Sequence, residues 1–390
     1  MAAFLPRAAA SAQAGERARL LRAVAEGRAA SRKEMSDLFG IRSSTVSELV
    51  GDLVAAGLLA ETPVRSGGRG RPAQLLVANP NRLAAVVFRI ASQSVQAAIV
   101  NLAGQAVAAE RADVPVGCDN QQMAETFQEL AGRLQGLVPR HADLAGLSFS
   151  LSGVVDAASQ RWLFSSRWPR LRSLDIGEAV RATNLPVAVA RNLDVELRAR
   201  LARSEDRAGG TLLLHWGYGI GASFAIDGIP INGGEGRFGE IGHCRVSAAA
   251  AAPCRCGRTG CLETLASLWA LQPVLAERWP MLDIDETALA RQVGAIDLLS
   301  LPAMDRAVDQ VVVALANLCR ILFPRRVVIS GPFVANPQVW AEFHRRFQAE
   351  GLLTAVASPD LQADQRSSEL ELEGAAAPLL TAAMARLLSR

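Results

Sequence analysis

No stretch of this 390-residue chain reaches the ~18 uninterrupted apolar residues a membrane-spanning helix needs, although half of its residues are hydrophobic. The Ala- and Arg-rich N-terminus lacks the apolar core of a secretory signal, so the expected location is the cytoplasm. There is no disulfide framework either. Of six cysteines, three crowd into one short segment and Cys118, Cys244 and Cys319 form no obvious pair, as suits a reducing compartment. Net charge is scarce at +3, but it is unevenly spread. Residues 1–80 carry eleven Lys/Arg against seven Asp/Glu (+4), and the remainder thirty against thirty-one (−1). The basic excess therefore sits in the N-terminal segment, as expected of a part that meets a polyanion. The length suggests two or three domains.

The most informative segment is Gly239-Glu240-Ile241-Gly242-His243 followed by Cys254-Arg255-Cys256-Gly257-Arg258-Thr259-Gly260-Cys261-Leu262-Glu263. His243, Cys254, Cys256 and Cys261 supply the four N/S ligands of a closed tetrahedral zinc site, and four protein ligands leave no open catalytic position. The metal is expected to be structural. Gly257 and Gly260 permit tight turns between ligands.

Gly-Glu-x-Gly-His with Cys-x-Cys-Gly-x-x-Gly-Cys-x-Glu resembles the ROK family of bacterial sugar kinases and sugar-responsive regulators, over roughly residues 15 to 390. The resemblance implies zinc on His243, Cys254, Cys256 and Cys261. It also implies a bound sugar near Glu240, His243 and Glu263.

Three helical patterns precede residue 60. The first runs from about Ala14 to Glu26. The second opens on Ser31-Arg32-Lys33-Glu34, a capping box in which Ser31 and Glu34 are expected to satisfy each other's backbone donors. After Gly40-Ile41-Arg42, Ser43 or Ser44 is expected to cap the third, whose stripe is Val46, Leu49, Val50, Leu53 and Val54. Two short helices about a glycine turn read as a helix-turn-helix, whose second helix would present Arg42, Ser43, Ser44, Thr45, Ser47 and Glu48 to the major groove. Residues 58–61 and 74–77 read as wing strands. Arg69 and Arg71, in Gly-Gly-Arg-Gly-Arg-Pro between them, suit a narrow minor groove. The same segment also has the composition of a flexible linker, but ROK-type regulators carry a similar Gly-Arg-Pro element.

From Leu83 strands alternate with helices: a meander over 85–109, a helix over 123–137, a strand over 145–151, a helix over 174–183 and a strand over 187–190. Strands over 211–215, 223–226 and 228–231, a helix over 311–322 and a strand over 326–330 follow. Periodicity supports an α/β domain, and the resemblance implies two actin-like lobes. ROK kinases open this domain with Asp-x-Gly-x-Thr. Here Arg89-Ile90-Ala91-Ser92-Gln93 replaces both the acid and the glycine. Gly217-Tyr218-Gly219-Ile220-Gly221 could cradle phosphate or simply turn a hairpin. Ser330-Gly331-Pro332 stands where kinases show a Gly-Gly pair. The family's catalytic base is the aspartate of an Asn-Asp pair. In Arg191-Asn192-Leu193-Asp194 the position falls to Asp194, which without an ATP site is read as an acceptor for a sugar hydroxyl, with Leu193 in place of the asparagine and Asn192 as a further effector contact. Ala202 stands where the family often has a glutamate.

The sequence therefore predicts a winged helix-turn-helix at 15–78 and an actin-like, effector-binding domain with structural zinc at 79–390. The expected partners are operator DNA, a carbohydrate effector and further copies of the chain, as a homodimer or homotetramer. Catalytic residues are not expected. The alternative is a ROK-type sugar kinase with an N-terminal extension.

Overall fold

The computed structural model describes residues 1–6, 11–63, 74–204, 206–231, 238–249, 251–353, 356–364 and 368–389. In the N-terminal unit, Ser11 caps helix α1 (Ala12–Ala25) by accepting the Ala14 amide. Ser31 Oγ likewise accepts the Glu34 amide at the start of α2 (Arg32–Phe39). The return half of the expected capping box is displaced by one residue, since Glu34 accepts from the Ala30 amide at 2.7 Å. Gly40 ends α2 at φ 64°. Neither serine caps α3 (Ser43–Ala55): its cap position is Arg42, without a side-chain bond. The turn is held from the other side, where the Ser36 hydroxyl donates to the Ile41 carbonyl at 2.6 Å. Strands β1 (Leu59–Pro63) and β2 (Gln74–Ala78) then form the expected antiparallel hairpin, with Leu59 opposite Ala78.

The first lobe follows, with β3 (Leu83–Ala91), β4 (Ser94–Asn101), β5 (Ala106–Asp113), α4 (Asn120–Gln135), β6 (Asp143–Leu151), β7 (Val154–Asp156), β8 (Arg161–Phe164), β9 (Arg172–Asp175), α5 (Ile176–Ala179), β10 (Val187–Arg191) and α6 (Asn192–Arg203). Its main sheet has the order β10-β6-β3-β4-β5. The meander is antiparallel, whereas β6 and β10 pair in parallel. The single helix expected over 174–183 is instead β9, the short α5 and a 3-10 turn at Arg181–Thr183. There, pairing with β8 in the β7-β8-β9 sheet satisfies the backbone.

The second lobe comprises β11 (Gly210–Trp216), β12 (Ile220–Ile226), β13 (Ile229–Ile231), α7 (Glu263–Ala266), α8 (Leu268–Arg278), α9 (Glu286–Gln292), α10 (Pro302–Leu322), β14 (Arg326–Ser330), α11 (Pro337–Glu350) and β15 (Asp360–Ala363). Its sheet order is β13-β12-β11-β14-β15. The last helix, α12 (Ser368–Leu388), returns to the first lobe and packs on α6 and β3.

Strand alternation sends β3 side chains to opposite faces. Phe88 stacks on Phe149 at 4.5 Å, within a core closed by α4. Val87, from the other face, joins a core shared with α12 and the N-terminal unit, including Leu20, Leu49, Val50 and Met384. Arg17 on α1 ties this assembly together. It ion-pairs Asp52 on α3 and donates to the Leu388 carbonyl at 2.9 Å. The N-terminal unit thus rides on the first lobe through a continuous apolar core. The second lobe has its own core around Trp216, Phe333 and Phe343.

Candidate functional site

His243 ends a 3-10 turn at Ile241–His243, and the chain then loops back through the three cysteines to α7. Cys254 Sγ lies 3.7 Å from His243 Nδ1, and Cys256 Sγ lies 3.7 Å from Cys261 Sγ. The four ligand atoms all fall within 4.8 Å of one another, so the cluster could hold a metal ion. Gly257 and Gly260 have φ of 87° and 78°, which is where glycine was required. Burial pushes the Cys261 thiol up to about 12 and also raises that of Cys254. Cys244, next in sequence to the histidine, is exposed and stands outside the cluster.

Beside this loop a narrow cavity of 70 Å³ opens between the lobes, with room for about five water molecules. Glu240, His243, Glu263 and Asn192 all line it. The Glu263 carboxylate is almost fully buried and accepts the Ile220 amide at 3.0 Å and the Trp269 indole N–H at 3.3 Å. Burial raises its pKa, against the opposing pull of His243 and those two donors. His243 directs Nδ1 to the cysteines and Nε2 to Glu240, 3.9 Å away. The cysteine loop and the cavity are mechanically joined. Arg255, between two of the cysteines, bonds the Tyr218 hydroxyl at 2.6 Å and sits 4.7 Å over the Trp269 ring, whose indole in turn holds Glu263.

Asp194 is not brought to this cavity. It is buried against Arg191 and the Ser223 hydroxyl (3.1 and 2.6 Å) and lines a different cavity on the far side of α6. Leu193 faces the narrow cavity in its place, with Cδ1 2.9 Å from where a Cβ on Gly221 would lie. The cause is helical geometry: α6 begins at Asn192, and consecutive residues on a helix point about 100° apart. Among the described residues, Glu240 and Glu263 are the carboxylates lining this cavity.

Sequence reasoning missed two arginines. Arg191, 3% exposed, bridges Glu240 and Asp194 and closes the cavity floor. Arg167 stacks 4.2 Å from the Tyr218 ring and pairs with Glu286 of the second lobe, so it helps hold the lobes together. The only available signal was the position of Arg191 at a strand end beside Asn192.

The Gly217–Gly221 segment turns the β11–β12 hairpin. A Cβ on Gly219 would lie 2.8 Å from Glu263 Oε1, so the glycine makes room for a carboxylate. The Arg89–Gln93 and Ser330–Pro332 motifs meet instead around a larger cavity of 620 Å³.

On α3 Val46, Leu49, Val50 and Leu53 are buried and Val54 is half-buried, while Arg42, Ser43, Ser44, Thr45, Ser47 and Glu48 are all exposed along its leading end. Arg69 and Arg71 lie outside the described residues.

Residues 87–380 match the ROK family and residues 14–70 the MarR family. The chain is 23% identical over 329 residues to the xylose repressor of Caldicellulosiruptor bescii, covering 80% of this chain and 81% of that protein. It is 28% identical over 214 residues to a glucokinase of Halalkalibacterium halodurans, covering 51% of this chain and 64%, less than two thirds, of that enzyme. The crystal structure of a ROK family transcriptional regulator, a homologue of the E. coli MLC protein, aligns with a TM-score of 0.70 at 20% identity. That alignment covers 96% of this chain and 97% of the other. The likeness confirms an N-terminal winged helix-turn-helix on an actin-like, two-lobed α/β fold.

Proposed function

The chain belongs to the ROK family, and from that premise we propose that it is a DNA-binding transcriptional regulator, a repressor of carbohydrate-metabolism genes released by a sugar. The observation that carries the reading is α3. Its apolar stripe is fixed in a core shared with the first lobe, while its polar leading end is free to enter a major groove. Residues 15–78 are read as the DNA module, with Arg69 and Arg71 as additional contacts, and 79–390 as the sensor. Pairing of two DNA modules on a pseudo-palindrome calls for a homodimer or homotetramer.

The sugar is assigned to the narrow cavity. Glu240 and Glu263 accept hydrogen bonds from its hydroxyls, Asn192 borders it, and His243 presents Nε2. Asp194 acts from behind, by holding Arg191 in place. With Leu193 facing the cavity and Asp194 turned to another, the general base that phosphoryl transfer to a sugar hydroxyl requires is not presented there. Together with Arg89 at the position of the metal-handling acid, this supports a sensor over a kinase. His243, Cys254, Cys256 and Cys261 are assigned to structural zinc. A tetrahedral ion with Zn–S near 2.3 Å separates its sulfurs by roughly 3.7 Å, the spacing found between Cys256 and Cys261. Bound there, zinc supplies cross-linking of the loop and fixes the histidine tautomer.

In vitro selection of bound DNA, followed by release with a panel of sugars, tests the reading. Operator release by one sugar is the expected result. Sugar-dependent ADP production with no selected DNA would establish the kinase instead.

A further inference from the structure

The larger cavity has no part in that reading. Its 620 Å³ falls within the range of small-molecule sites, roughly 300–1,000 Å³. Four guanidinium groups, Arg89, Arg111, Arg167 and Arg291, stand in its wall with two carboxylates, Asp285 and Glu286, and Arg89 and Arg111 also pair with Glu371 and Asp113. Both carboxylates are committed to protein donors. Asp285 accepts the Ser92 hydroxyl and the Thr287 and Ala288 amides. Glu286 accepts the Tyr218 amide and pairs with Arg167 and His215. Both carboxylates are therefore already held by protein donors, which weakens them as oxygen ligands for a divalent cation. Guanidinium groups, by contrast, match the planar, bidentate demands of phosphate.

We propose that this cavity is a second ligand site, which takes a small phosphate monoester on arginine alone, without a divalent cation. The substitution that removes the metal-handling acid of the kinases is the one that supplies Arg89. The site therefore differs in chemistry from a magnesium–nucleotide site at the same place in the fold. It also has a route outward. Arg89 bonds Glu371, fully buried in the first turn of α12, at 3.4 Å. The far end of that helix offers the Leu388 carbonyl to Arg17, which holds Asp52 on α3. A phosphate drawing Arg89 away from Glu371 thus acts on the helix that supports the DNA-reading unit.

Isothermal titration of the full chain with glucose 6-phosphate, AMP, inorganic phosphate and glucose, each with and without Mg²⁺, tests the proposal. At least one of the two esters should bind without Mg²⁺, and the tighter of them identifies the source of the phosphate. Arg89→Ala should weaken it ten-fold or more. Arg291→Ala, on the exposed rim, should weaken it several-fold and decides the matter if the first variant does not fold. Absence of ester binding, a requirement for Mg²⁺, unchanged affinity in Arg291→Ala, or inorganic phosphate binding as tightly as either ester would overturn it.

Discussion

Glu263 concentrates the chemistry of the narrow cavity: a buried carboxylate, held by one amide and one indole, beside a histidine. A hydrogen bond from a sugar hydroxyl to a charged acceptor is worth about 1.5–3 kcal/mol. Glu263→Gln preserves shape but not charge, so half-maximal operator release should need about ten-fold more sugar, with operator affinity unchanged. Release at the original sugar concentration would remove Glu263 from the site. The His/Cys cluster that could hold a metal ion was legible in the sequence because its spacing is local and its chemistry unusual. The role of Asp194 was not. Whether Leu193 or Asp194 faces the cavity depends on where β10 ends and α6 begins, and a shift of one residue there rotates the assignment by about 100°. Arg167 was invisible for a different reason: its partners Glu286 and Tyr218 are distant in sequence.

Among the elements, the 243–261 loop and α7 work as one piece, because Arg255 braces Trp269 and Trp269 holds Glu263. Zinc content should be one per chain, and Cys256→Ala should lose both the metal and the sugar response while keeping operator binding. Full response in metal-free protein would dissociate the loop from the cavity. Helix α9 gives a second prediction. Asp285 caps it and also accepts Ser92 from the opposite lobe. Burial opposes ionisation of Asp285, but bonds from Ser92, Ala288 and Thr287 prevail and hold its pKa below the ordinary carboxylate value. A depressed folded-state pKa contributes stability above the unfolded value, and that contribution is lost as pH falls through the folded one. Asp285→Ala should cost about 1 kcal/mol in chemical denaturation at neutral pH, and the difference from wild type should shrink below pH 4. A pH-independent difference would leave the cap without an ionic part. Helices α2 and α3 and the hairpin were readable from caps, glycines and periodicity. Helix α12 was not, since Pro378 interrupts its pattern and its Ala-rich sequence carries no amphipathic stripe.

At the scale of the molecule, the sequence divides at about residue 78, but the packing does not divide there. Leu20, Leu49 and Val50 share a core with Val87 and Met384. Calorimetry should therefore find the N-terminal unit melting together with the first lobe in one transition, and the second lobe, with its separate core, free to melt apart. A low-temperature transition belonging to residues 1–78 alone would contradict the shared core.

The closing of α1 by the last residues of α12 also bears on synthesis. Arg17 waits for the carbonyl of Leu388, 371 positions later, and Met384 must emerge before Leu20 and Val50 are covered. At ribosomal speeds of about 5–20 residues per second, the DNA-reading unit stands incomplete for tens of seconds and matures only once the rest of the chain has been made. A chain cut short before α12 should therefore lack the contacts of Met384 and Leu388 that cover α1 and α3, and should bind DNA more weakly than the longer chain.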